Sequence, residues 1–158
     1  MRHIAPTLLA VSLLSLPLAA PAQETDPHIT EVDGARVLYA WAVPEDDGLQ
    51  VYMEIENTGS VGLLLTGGET ADGGTLALRD TEVTAAAPVD LSEFPIAPGV
   101  SIDLVPGGMY LALDDAPDLS EGDRLNAHIE LDPVGDVEIE IDILAPGTRD
   151  HPDAGHRQ

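Results

Sequence analysis

The sequence predicts an all-β fold, an antiparallel sandwich or barrel, on three observations. Apolar residues alternate with polar ones over many short stretches, those stretches are separated by Gly, Pro, Asn and Asp, and no window keeps a helical period for three turns. Strands with one dry face and one wet face bury little alone. They must pack face to face, which sets the architecture.

At the start, Met1 and Arg2 precede an apolar run from Ile4 to Ala20, and Ala20-Pro21-Ala22 has the small, any, small pattern of a signal-peptidase site. Residues 1–22 are therefore expected to be an export signal cut after Ala22, sending the chain to the periplasm or outside the cell. A membrane anchor would need about 20 uninterrupted apolar residues; Thr7, Ser12, Ser15 and Pro17 interrupt this run, and no anchor is expected after cleavage. Removing 22 of the 158 residues leaves 136, enough for one domain with one core. The chain has no cysteine, so neither a disulfide nor thiolate chemistry is available and packing must hold the fold.

The charge is lopsided, with 29 acidic residues against six basic ones, all arginine, for a formal net charge of -23. Such a surface repels nucleic acid and anionic lipid, which both require a basic footprint, and attracts cations and basic partners.

Residues 23–35 are expected to be a lead-in, disordered from Gln23 to Glu31, where the chain is polar and contains Pro27 and His28. The sandwich should span residues 36–144. Its first strand is Val37 to Val43, with Val37, Tyr39, Trp41 and Val43 on one face and Trp41 in the core. After the turn Glu45-Asp46-Asp47-Gly48, Leu49, Val51, Met53 and Ile55 alternate with Gln50, Tyr52, Glu54 and Glu56. Shorter strands follow at Val61 to Thr66 and at Thr75 to Arg79, with Leu76 and Leu78 inward, then an edge segment from Thr81 to Val89 broken at Pro88. Val100, Ile102 and Leu104, then Met109, Leu111 and Leu113, make two half-buried strands around the turn Pro106-Gly107-Gly108. Leu125, Ala127, Ile129 and Leu131, then Val137, Ile139, Ile141 and Ile143, complete the set with acidic outer faces. Residues 145–158, with Pro146, Gly147, Pro152 and Gly155, are expected to be a disordered tail carrying His151 and His156.

Five elements in this order resemble one family. Ala40-Trp41-Ala42, then Tyr52-Met53-Glu54-Ile55-Glu56-Asn57 with Gly59, then Pro95-Ile96-Ala97-Pro98-Gly99, Pro106-Gly107-Gly108 and Glu121-Gly122-Asp123 are similar to the periplasmic copper chaperones written PCu(A)C. The resemblance runs from about Val37 to Ile143. It implies a single cupredoxin-like antiparallel β-sandwich of Greek-key type that binds Cu(I) for delivery to the copper centre of cytochrome c oxidase. The partner so implied is a copper-accepting oxidase subunit or another periplasmic protein. Members hold Cu(I) with His and Met, since soft thioether sulfur selects Cu(I) while imidazole adds affinity.

At the positions matching those ligands, this chain has Arg79, Tyr110 and Ala112, none of them a copper ligand. Met53 and Met109 share the parity of core-facing neighbours and are expected to pack rather than ligate. Among relatives, C-terminal His or Met extensions contribute metal binding, which makes His151 and His156 the candidate ligands for copper here. The runner-up reading is a metal-free paralogue that acts as a periplasmic protein-binding or assembly module. Catalysis is not expected: the chain has no Gly-x-Ser-x-Gly, no His-Glu-x-x-His and no phosphate-cradling glycine loop before a helix.

Overall fold

A computed structural model describes residues 26–46, 48–81 and 87–154 of the chain. The expected export signal, residues 1–22, lies outside the described residues, as do His156 and most of the edge segment after Thr81. No helix among the described residues is long and apolar enough to cross a membrane.

The described chain is all strand and turn. Its elements are β1 (Ile29–Val32), β2 (Ala35–Glu45), β3 (Gly48–Asn57), β4 (Leu63–Thr70), β5 (Thr75–Asp80), β6 (Val89–Asp90), β7 (Phe94–Ile96), β8 (Ser101–Leu104), β9 (Met109–Asp114), β10 (Arg124–Asp132) and β11 (Gly135–Ile143). Hydrogen bonding runs β2-β11-β10-β4-β5-β9-β3, and β3 pairs again with β2, so the sheet closes on itself. Closure leaves this ring without a free edge. One pairing departs from the antiparallel expectation, since β11 runs parallel to β2 through Asp142↔Trp41 and Ile143↔Ala42.

The core follows from the period of two. Leu49, Val51, Met53 and Ile55 of β3 meet Leu125, Ala127, Ile129 and Leu131 of β10 and Val137, Ile139, Ile141 and Ile143 of β11 in one buried cluster. Each fully buried Leu or Ile contributes about 1.5–3 kcal/mol relative to leaving it in water. On the outer face of the β10–β11 hairpin, Glu130 stands opposite Asp136, while Arg124 stands opposite Asp142 and also reaches Glu140 at 2.6 Å. Gly48 and Gly68 sit where backbones approach closely. A Cβ would lie 2.0 Å from the Leu113 carbonyl oxygen at Gly48 and 2.2 Å from that of His128 at Gly68.

Four expectations are corrected. First, β2 does not alternate through Tyr39: the register against β3 shifts between Leu38 and Trp41, and Tyr39 has φ 51°. That bulge turns the parity over, so Val37, Ala40 and Ala42 face the main core while Trp41 and Val43 join a second buried cluster with Tyr52, Tyr110 and Ala112. Second, Tyr52, expected on the wet face of its strand, is buried in that second cluster. The two strands around Pro106-Gly107-Gly108 are where they were expected; both run antiparallel to β3, β8 along Met53 to Glu56 and β9 along Gly48 to Val51, so they are two lengths of one line broken by the turn at Val105 to Gly108. Third, the lead-in of residues 23–35 contains β1, which pairs with β2 from Ile29↔Leu38 to Val32↔Ala35. Fourth, although no strand follows β11 among the described residues, residues 145–154 turn back onto the sheet and bury His151 to 4% exposure.

Candidate functional site

Strands β5 and β9 bring Arg79, Tyr110 and Ala112 to one rim. Arg79 pairs with Tyr110 in register, Ala77 pairs with Ala112, and Ala112 faces Gln50 of β3 on its other side. Arg79, Tyr110, Ala112 and Gln50 line a cleft of about 210 Å³ together with Glu45, Asp46 and Asp114. Tyr110 and Ala112 are buried, with Tyr110 6.4 Å from the ring of Tyr52 and Tyr52 4.7 Å from that of Trp41.

Arg79 closes the rim. Its Nη1 and Nη2 donate to the two oxygens of Asp114 at 2.8 and 2.7 Å, and its Nε donates to Asp90 at 2.7 Å. A planar guanidinium matches a carboxylate in this two-pronged way, and a lysine would not. The hydrogen bonds from Arg79 hold the Asp114 carboxyl below its usual range, and those from Asp114 and Asp90 raise the already high value of the guanidinium. Burial pushes the Tyr110 phenol upward against the opposing pull of Arg79. The rim thus presents a fixed cation, a neutral phenol and a methyl group. None of these supplies a soft donor, and the charge of Arg79 opposes a bound cation.

The methionines do not compensate. Met53 is 2% exposed in the main core, and Met109 packs against the same cluster.

His151 lies at a different corner. Its Nε2 is 3.4 Å from Asp142, its Nδ1 accepts the Asp153 backbone N–H at 3.1 Å, and its ring is 5.1 Å from that of His28 and 5.4 Å from Tyr39. The sequence-predicted pair His151 and His156 is not seen together, because only His151 is described. His28, Asp142 and Asp153 are the neighbours that sequence reasoning missed. Their approach depends on the docking of β1, which has no local sequence signature, and on the turn at Ala145 to Thr148, where Pro146-Gly147 announces a turn but not where the chain goes after it.

No family model matches the chain, and no curated protein matches it. Solved structures do. The apo PCuAC domain from PmoF1 is 27% identical with a TM-score of 0.65, covering 75% of this chain and 100% of that one. The copper-bound PCuAC domain from PmoF2 is 19% identical with a TM-score of 0.65, covering 75% of this chain and 99% of that one. The apo PmoF2 domain is 17% identical with a TM-score of 0.64, covering 77% and 98%. The chain has a PCuAC-like, cupredoxin-type fold, and the resemblance in sequence order is matched in three dimensions.

Proposed function

We propose that the chain is a periplasmic copper-handling protein of PCuAC type whose β5–β9 rim no longer holds Cu(I), and which acts by binding and transfer rather than catalysis. The fold supports this reading, as does the copper found in the PmoF2 domain of the same fold. The apolar run and small-residue site at residues 4–22 support export. Delivery to a copper-accepting oxidase subunit is the role the family resemblance suggests.

The observation that carries the degenerate-site part is the Arg79 fork on Asp114 and Asp90 beside Tyr110 and Ala112. That same fork favours a second reading, a metal-free module that binds a protein partner at the rim. Titration of the metal-free chain with Cu(I) and Cu(II) against chromogenic chelators separates the two. The copper-handling reading expects one equivalent of copper, with Cu(I) held weakly until Arg79→His, Tyr110→His and Ala112→Met together restore imidazole and thioether donors. Binding of neither oxidation state by the unaltered chain would overturn it in favour of the metal-free reading. Failure of the triple variant to gain Cu(I) affinity would overturn the assignment of the rim.

A further inference from the structure

We infer that His28, His151 and Asp153 form a metal site for a first-row divalent ion, Cu(II) or Zn(II), joining the start of the sheet to the segment after β11. One ligand atom from each of the three lies within 4.8 Å of the others. The inference rests on the copper-handling reading for the physiological ion alone; the site itself stands on geometry.

Contacts with Asp142 set which ring nitrogens point away from it. Asp142 Oδ2 lies 3.1 Å from His28 Nδ1 and 3.4 Å from His151 Nε2. A carboxylate only accepts, so both rings turn an N–H toward it. In the neutral rings the other nitrogens, His28 Nε2 and His151 Nδ1, then carry lone pairs, and both face Asp153. His28 Nε2 is 3.5 Å from Asp153 Oδ2, and His151 Nδ1 accepts the Asp153 N–H at 3.1 Å, a bond that a metal on that nitrogen would replace. His28 Nε2 and Asp153 Oδ2 are then two acceptors facing each other, an arrangement that a cation between them makes favourable.

Asp142 plays the part of the outer carboxylate that orients metal-bound imidazoles and raises their basicity. It is itself held, since its other oxygen forms an ion pair with Arg124 Nε at 3.1 Å. Two imidazoles and a carboxylate suit Zn(II) and Cu(II) and lack the sulfur that Cu(I) prefers. Tetrahedral ligation at about 2.0–2.1 Å puts donor atoms about 3.4 Å apart, and His28 Nε2 and Asp153 Oδ2 already lie 3.5 Å apart. The side chain of His151 is 2% exposed and that of Asp153 50% exposed, giving a dry wall and an open entrance.

The backbone is bent toward this corner. Tyr39, in the left-handed region at φ 51°, donates its N–H to the His28 carbonyl at 2.7 Å and lays its ring against His151. A bulky residue held in that region is strained, and such strain gathers where a site is being shaped. The other mixed cluster among the described residues, His128, Glu130 and Asp136, has one imidazole and no buried member, and is the weaker candidate for such an ion.

Competitive titration of the metal-free chain with Zn(II) and Cu(II) near neutral pH tests the site, with electron paramagnetic resonance of the Cu(II) form counting bound nitrogens. The unaltered chain should bind one equivalent with two imidazole nitrogens. His28→Ala and Asp153→Asn, both at partly exposed positions, should each weaken binding at least tenfold, and His28→Ala should leave one nitrogen. His128→Ala should change neither. Unweakened binding in both His28→Ala and Asp153→Asn, or its loss in His128→Ala instead, would overturn the assignment. Zn(II) binding at these residues without copper binding would uphold the site and remove the copper reading; copper binding indifferent to them would do the reverse.

Discussion

Replacing Arg79 by Ala removes the clamp that closes the rim, and its cost follows from the geometry. Arg79 is 24% exposed along its side chain, whereas Asp90 and Asp114 are 76% and 63% exposed. Once freed, both carboxylates return to water, so no buried charge is left behind. Exposed ion pairs contribute about 0.2–1 kcal/mol, and a two-pronged fork belongs at the upper end. The loss should be about 1 kcal/mol in total, or about 3–5 °C in Tm for a domain of this size. In a double-mutant cycle with Asp114→Asn, followed by thermal unfolding at low ionic strength, the coupling should be about 0.5 kcal/mol. It should shrink in about 1 M salt, where the Debye length falls to about 3 Å. Acid should remove it too. The Asp114 carboxyl is depressed in the fold, so its contribution is present above the unfolded value of about 3.9 and is lost as pH falls through the lower folded one. A variant as stable as the parent at low salt, or a coupling indistinguishable from zero, would refute the clamp.

Further expectations concern the scaffold. Burial, then the charge of Glu45 and the presence of Tyr110, push the Tyr52 phenol up to about 12, so its contribution is full below the unfolded value of about 10 and is lost as pH rises toward 12. Denaturant melts between those limits should show up to about 3 kcal/mol of loss in the parent, and a Tyr52→Phe variant that loses as much would contradict the attribution. Leu111→Ala, at a position with no exposed surface, should cost about 2–5 kcal/mol in denaturant melts, and a cost below about 1 would mean the core is not where the strands put it. Gly68→Ala must push β4 from β10, since its Cβ would lie 2.2 Å from the His128 carbonyl oxygen; a variant with unchanged Tm would contradict that approach. With a formal net charge of -23, and Glu130 facing Asp136, unfolding midpoints should rise with salt, and a fall would show that attractive pairs dominate the surface.

Strands β10 and β11 were legible because each keeps the two-residue period without interruption, from Leu125 to Leu131 and Val137 to Ile143, and β3 because Leu49 to Ile55 keeps it on the inner face, although Tyr52 opposite is buried too. The same rule failed at Tyr39, where one residue in the left-handed region reverses every side chain after it, and nothing in Leu38-Tyr39-Ala40 announces that. The turn at Pro106-Gly107-Gly108 was legible as a turn, but whether the chain reverses or resumes its direction depends on β3 alongside, a long-range pairing. The rim was legible through the order of motifs, which placed Arg79, Tyr110 and Ala112 together although they lie about 30 residues apart in the chain. His28 and Asp153 were not, because their meeting joins the two ends of the described chain and leaves no spacing to read.

Copper-edge X-ray absorption of the chain loaded with one equivalent of copper tests the central claim most directly, because it reads the donor atoms. The account predicts a shell of nitrogen and oxygen with imidazole scattering and no sulfur. A sulfur neighbour at about 2.3 Å would place copper on a methionine, and would contradict both the closed rim and the His28–His151 corner.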